Sequence, residues 1–208
     1  MKTQLLIAAR MTVVTLLLTG FLYPAIVTAL AQVLFSHQAN GSLIEDQHGT
    51  VIGSEFVAQG FANAAYVQPR PSAAGNGYDA LSSGGSNFGP TSQKLHDRVA
   101  AEVDRLLKDN PDAPRPVPAD LVTTSASGLD PELSPGGARW QAPRIAQARG
   151  IAKERVLALI DAQVEGRDLG FLGEPRVNVL RLNLALDRQF GRPKAATAAN
   201  GGAAPDGR

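Results

Sequence analysis

The chain has 208 residues, enough for one domain of ordinary size plus a short appendage. Lys and Arg number 20 against 19 Asp and Glu, a formal net charge of +1, which argues against a nucleic-acid-binding protein with its basic excess. Cysteine is absent, excluding disulfides, thiolate nucleophiles and Cys-ligated zinc; 21 Gly and 14 Pro against 5% aromatics point to long ordered loops around a modest core.

The N-terminal segment dominates the pattern. Between Met11 and Ser36 there is no Asp, Glu, Lys or Arg. A helix over residues 11–35 spans roughly 38 Å at 1.5 Å per residue, enough to cross a hydrocarbon core of about 30 Å with some tilt. Pro24 is a point where such a helix can kink. Lys2 and Arg10 precede the run, and no Lys or Arg follows until Arg70. The positive-inside rule therefore expects residues 1–10 in the cytoplasm and residues 36–190 as an extracytoplasmic domain on the far side of the membrane. The competing reading is a cleaved signal peptide, with Ala29-Leu30-Ala31 as the small-residue site, releasing a free-standing or secreted binding module. The apolar run is longer than a signal peptide's core of roughly 7–15 residues, which favours a retained helix. Thr12, Thr15, Thr19 and Tyr23 recur at spacings of three and four and share one face, suited to packing against partner helices; chance placement is the bland alternative.

Beyond the anchor the pattern is mixed α+β without βαβ alternation. Residues 42–57 predict a hairpin, Leu43-Ile44 and Val51-Ile52 flanking a turn at His48-Gly49. Residues 68–90 predict one long loop of a length that usually serves interaction. Leu95, Val99, Val103 and Leu106 predict a helix with Ser92 as N-cap, ending near Asn110-Pro111. Residues 121–124 predict a short strand. Ser134-Pro135 opens a helical segment through Arg149 that Pro143 interrupts, and Gly150 separates it from an amphipathic helix over residues 151–164 burying Val156, Leu159 and Ile160. Residues 177–186 predict the best strand, with a bulge at Leu180-Arg181 where the alternation changes parity. Residues 191–208 offer little to bury and predict a disordered tail.

Chemistry is sparse. His37, His48 and His96 lack metal-ligand spacing and read as surface residues, so no metal site is expected. Residues 84–91 read G-x-x-x-x-G-P-T, a phosphate-loop spacing with Pro90 where the lysine belongs. Proline supplies neither the charge nor a backbone donor, so nucleotide hydrolysis is rejected there. Asp120, Asp130 and Glu132 fit ordinary turn and capping chemistry. From the residues alone, an anchored, non-catalytic accessory domain is expected.

Four segments in this order lie behind the N-terminal run: Arg70-Pro71-Ser72-Ala73 with Tyr78-Asp79-Ala80; residues 83–91, Ser-Gly-Gly-Ser-Asn-Phe-Gly-Pro-Thr; Asp120-Leu121-Val122-Thr123 through Ser127-Gly128-Leu129-Asp130-Pro131 to Gln141-Ala142-Pro143-Arg144; and Arg176-Val177-Asn178-Val179-Leu180 through Asn183-Leu184-Ala185-Leu186-Asp187. Together they resemble the C subunit of the bacterial Kdp-type potassium-transporting P-type ATPase over most of residues 5–190. The resemblance implies a complex with a channel-like potassium-translocating subunit, a P-type ATPase catalytic subunit and a small membrane subunit. It implies high-affinity potassium uptake driven by ATP. The C subunit is implied to serve assembly and activity without being an enzyme by itself; it needs no cofactor of its own, ATP and potassium being handled by the complex. A catalytic-chaperone role, raising the pump subunit's affinity for ATP, is also implied. Gln141 matches a glutamine implicated in it, and Leu81-Ser82-Ser83-Gly84-Gly85 is loosely similar to the ABC-transporter signature with one residue inserted, which adds Ser83, Gly84 and Gly85 as nucleotide-related candidates. The expected topology opposes direct contact, because ATP lies in the cytoplasm and these residues lie outside, so coupling through the membrane helix is expected instead.

Overall fold

The structure is a computed structural model that describes residues 1–46 and 49–193; His48 of the expected turn, and residues 194–208 of the expected tail, lie outside the described residues. The chain divides into two compact units, Met1–Ser54 and Glu55–Arg208.

The first unit is a helix with a hairpin. A helical run of 33 residues, Lys2–Leu34, is long and apolar enough to cross a membrane. It begins nine residues before the expected start at Met11, because nothing in residues 2–10 breaks a helix. It has three parts: α1 (Lys2–Leu17), a wide π-turn (Leu18–Leu22) and α2 (Tyr23–Leu34). The π-turn has a local cause. Pro24 has no N–H to give and its ring crowds the carbonyl four residues back, so the chain opens to an i→i+5 bond, Tyr23 N–H to Leu18 C=O. After the short α3 (Ser36–Ala39), β1 (Leu43–Glu45) pairs antiparallel with β2 (Val51–Ser54), with a register slip between Ile44 and Glu45. Gly49 takes φ +75° at the turn, and its N–H reaches the Asp46 carbonyl at 3.1 Å. This is the hairpin expected for residues 42–57.

The regular structure of the second unit is mostly helical. Its first 38 residues, 55–92, contain no helix or strand, as expected for residues 68–90. Then α4 (Gln93–Asp109) follows Ser92 and ends at Asn110, where its sequence period ends; Ser92 sits at the cap position without a side-chain cap bond. Next come β3 (Glu132–Leu133), α5 (Pro135–Trp140), α6 (Ala142–Arg149) and α7 (Lys153–Ala162). Ser134 caps α5 by accepting the Gly137 N–H at 2.9 Å. Gly150, at φ +64°, closes α6 in the left-handed conformation that glycine adopts without steric cost. Leu106, Leu133, Ile145, Val156, Ile160, Leu182 and Leu186 form the buried centre.

Of the expected strands, one is absent and one is cut to two residues. Residues 119–121 form a 3₁₀ turn (Ala119–Leu121), and Thr123 bonds back to the Ala119 carbonyl through both its N–H and its hydroxyl, so residues 121–124 have no strand partner. In the expected strand at 177–186 only β4 (Val177–Asn178) pairs, antiparallel to β3, before α8 (Val179–Phe190) begins. The change of parity at Leu180-Arg181 is a change of period, not a bulge. Val179, Leu182 and Leu186 recur at three and four and are buried on one helical face. Asn178 starts the helix by accepting the Arg181 N–H at 3.0 Å, and its amide donates to the Glu55 carbonyl at 2.7 Å. Asn178→Ala should therefore cost about 1–3 kcal/mol, a lost cap plus a less satisfied carbonyl, measured by urea denaturation of the full chain in detergent.

Candidate functional site

Gln141 lies at the break between α5 and α6, forced there by Pro143, which cannot continue the helical hydrogen bonding. It is fully buried. Its carbonyl Oε1 accepts the Gln68 N–H at 2.9 Å and Arg144 Nη2 at 2.7 Å. Its Nε2 donates to the Gln68 carbonyl at 3.0 Å and reaches the Gly137 carbonyl at 3.5 Å. The amide thus spends its two acceptor and two donor positions inside the protein.

Asn183 on α8 makes the same kind of bond one residue earlier. Its Oδ1 accepts the Val67 N–H at 2.8 Å and its Nδ2 donates to the Val67 carbonyl at 2.9 Å. Two side-chain amides stand where a neighbouring strand would, each giving a donor and an acceptor to one residue of the extended segment. Arg144 completes the clamp on the carbonyls of Ala64 and Tyr66, with its Nε on Asn110 Oδ1 at 2.9 Å. Arg149 holds the Ala65 carbonyl at 2.8 Å and pairs with Asp187 at 2.8 Å, while the Tyr66 hydroxyl donates to the same carboxylate at 2.8 Å. Burial beside Asp187 raises the Tyr66 phenol above its ordinary pKa.

Arg144 is unusual in its partners. It is 7% exposed and its hydrogen bonds go to neutral oxygens only. Burial lowers its pKa to about 10, with Asp109 acting in the opposite direction and the nearby Arg105 adding to the drop. It still carries its charge at neutral pH.

The candidate loop 83–85 is held elsewhere. The Gly84 N–H donates to the Ser127 carbonyl at 2.8 Å, Ser83 Oγ donates to the same oxygen at 3.0 Å, and Ser86 meets Thr124 at 3.1 Å. A side chain at Gly85 would strike the Ala126 carbonyl, 2.9 Å from the Cβ position. Gly84 therefore turns its amide to Ser127, and the hydrogen bonds of Gln141 run to a different set of partners. Asp120 accepts the Ser134 N–H at 2.8 Å, Asp130 pairs with Arg70 at 2.9 Å, and Glu132 pairs with Arg176 at 3.0 Å. In the first unit, Thr12, Thr15, Thr19 and Tyr23 are all exposed, and the Thr19 hydroxyl donates back to the Thr15 carbonyl at 2.8 Å. The sequence reading missed Arg144, Asn110, Arg149 and Asn183. Asn178 and Asn183 in an apolar run were the available signal, since an amide kept among buried leucines needs a backbone partner.

The described residues comprise one apolar helix long enough to cross a membrane and an α+β body whose regular structure is mostly helical. The sequence comparisons particularise this build. Residues 5–188 match the family "K+-transporting ATPase, c chain", KdpC. The chain is 62% identical over 206 residues, 99% of its length and 98% of the relative's, to the potassium-transporting ATPase KdpC subunit of Myxococcus xanthus. It is 59% identical to that of Rhodospirillum rubrum, covering 84% of this chain and 90% of the relative, and 52% identical to that of Mycobacterium bovis, covering 90% and 100%. The chain belongs to the KdpC family.

Gln141→Ala should unpair the N–H and carbonyl of Gln68 and one arm of Arg144 together. At about 1–3 kcal/mol per buried polar group left unsatisfied, with Gln68 only half-buried, the loss is about 2–3 kcal/mol. Chemical denaturation of the full chain measures it; a loss under about 1 kcal/mol would show that the amide is dispensable to the fold.

Proposed function

We propose that this chain is the accessory subunit of an ATP-driven, high-affinity potassium-uptake complex, spanning the inner membrane once with the N-terminus in the cytoplasm and the body outside. The observation that carries the proposal is a family match running through both the apolar helix and the body, residues 5–188. The orientation rests on Lys2 and Arg10 at the N-terminal end of the helix, ahead of its uncharged run, and on the absence of Lys and Arg from there to Arg70. Its partners are the channel-like potassium-translocating subunit, the P-type ATPase catalytic subunit and the small membrane subunit, and the Thr12/Thr15/Thr19/Tyr23 face is the part of the helix that meets them.

In this reading the chain stabilises assembly and couples to ATP use without touching ATP. Two features support indirect coupling: the Gln141 amide is fully engaged, and the Gly84 N–H is already bonded. Phosphate recognition needs several free donors or a cation converging on one point, and Pro90 stands where a phosphate-loop lysine would be.

Three measurements test this. The native chain has no cysteine, so Leu81→Cys, at a side chain 97% exposed, gives a single label site. It should react with a membrane-impermeant thiol reagent in cells whose outer envelope is permeabilised; labelling only after the inner membrane is broken reverses the orientation. The full chain in detergent should bind ATP no better than millimolar, about −4 kcal/mol, by calorimetry. Micromolar binding would restore the nucleotide site. Deleting the chain should abolish potassium-stimulated ATP hydrolysis by the membrane complex, whereas a secreted module would leave it intact.

A further inference from the structure

Within the helical run Lys2–Leu34, the π-turn at Leu18–Leu22 divides α1 from α2. In an unbroken α-helix the ring of Pro24 would press on the carbonyl of Gly20, four residues back. The wider turn avoids that clash by taking up one residue more than an α-turn. The two halves are therefore rotated against each other about the helix axis by the angle of one residue, roughly 100°, relative to a helix without it. The Thr15 carbonyl belongs to the same join: it accepts the Leu18 N–H and, at 2.8 Å, the Thr19 hydroxyl.

This rotation decides which side chains share a face. In a regular α-helix residues four apart advance by about 40° beyond a full turn, so Tyr23 would stand about 80° round from Thr15. The π-turn brings it back to within about 20° of Thr15, so that Thr15, Thr19 and Tyr23 line up along the axis. Among the described residues no packing fixes this phase, since no residue of α1 is buried. The outer half runs instead into α3 and the hairpin, with Gln32 Nε2 donating to Asn40 Oδ1 at 3.3 Å and the Ser54 hydroxyl to the Gly41 carbonyl at 2.7 Å. The rotation of α1 against that anchored end is thus set at the π-turn alone. Gly20 inside the turn answers no steric need: a Cβ there would meet nothing closer than Leu16 Cδ1 at 3.6 Å. Pro24 is left as the cause.

We propose that Pro24 is a positioning residue: by forcing the π-turn it sets the rotational phase of Thr15 and Thr19 against Tyr23, and so builds the hydroxyl stripe used in assembly. This rests on the reading above that this face of the helix meets the partner subunits. Three forms of the full chain test it: native, Pro24→Ala, and Pro24→Ala with Gly20 deleted. The chain has no cysteine of its own, so cysteines introduced at the exposed Val13 and Val27 carry spin labels whose separation in lipid vesicles reports the phase. These positions lie about 140° apart round the native helix and about 40° apart once Pro24→Ala closes the turn to α, so the separation shortens by several ångströms. Recovery of this variant with co-expressed partner subunits falls about tenfold or more. Deleting Gly20 as well removes the residue that the π-turn took up; the labels return to their native separation and recovery to within about threefold of native. A separation that stays native in Pro24→Ala shows that the proline does not hold the turn. Native recovery despite a shortened separation shows that the phase does not serve assembly. A loss that the Gly20 deletion fails to restore makes the proline a merely structural residue. Each of these overturns the proposal and leaves the accessory role standing, whereas a native chain that does not assemble overturns that reading itself.

Discussion

The second unit is organised around one problem, how to bury an extended stretch of chain that has no sheet to join. Ala65 and Val67 are at most 1% exposed, so the peptide groups around them lose water and must find other partners or cost several kcal/mol. The answer is four side chains from two helices and a helix break. Arg144 takes the Ala64 and Tyr66 carbonyls, Arg149 takes Ala65, Asn183 takes both polar groups of Val67, and Gln141 takes both of Gln68. Each residue from 64 to 68 is thereby held, and the long loop that follows is anchored at its start.

This clamp explains why the body needs so little sheet. Two-residue strands β3 and β4 pair only to join neighbouring elements; the strand-like bonding of residues 64–68 is supplied by amides and guanidinium groups instead. Amide side chains suit the task because each offers a donor and an acceptor in one plane, as a peptide does. The second half of the loop is closed in a related way. Ser72 donates to the Gly128 carbonyl at 2.6 Å and accepts the Tyr78 N–H at 2.8 Å, and the Tyr78 hydroxyl donates to the Arg70 carbonyl at 2.9 Å. Desolvation pushes the Tyr78 phenol up to about 12, so it remains a donor across the neutral range.

Elements whose cause is local were legible in the sequence. The apolar run, the hairpin flanks, the period of α4, the Ser134-Pro135 start and the Gly150 stop each depend on residues within a turn or two. The failures have two causes, short-range side-chain bonds that a hydrophobic pattern does not show and one long-range bond. Val177 and Val179 around Asn178 alternate as a strand does, but the Arg181 N–H donates to the Asn178 side chain and caps a helix there. Residues 121–124 are a leucine followed by three β-branched residues, yet Thr123 closes a turn on Ala119. Gln141 was singled out by resemblance alone. Its partner on the extended segment lies 73 residues away at Gln68, and no local pattern encodes a bond of that span.

The charge on Arg144 follows from the same requirement. A buried guanidinium without a carboxylate is costly, yet a carboxylate beside it would also face the carbonyls of Ala64 and Tyr66 that it has to hold. The guanidinium's planar fork reaches two backbone carbonyls through Nη1 and the side-chain oxygens of Asn110 and Gln141 through Nε and Nη2 at once. Lysine could bring the charge but not that spread of directions. Asn110 in turn is fixed by donating its amide to the Leu106 carbonyl at 2.8 Å, so the end of α4 is tied into the clamp through the same arginine. Helix α4, the α5–α6 break and the extended segment are therefore one cooperative unit, and a change at any of them reaches Gln141 through bonds rather than through proximity.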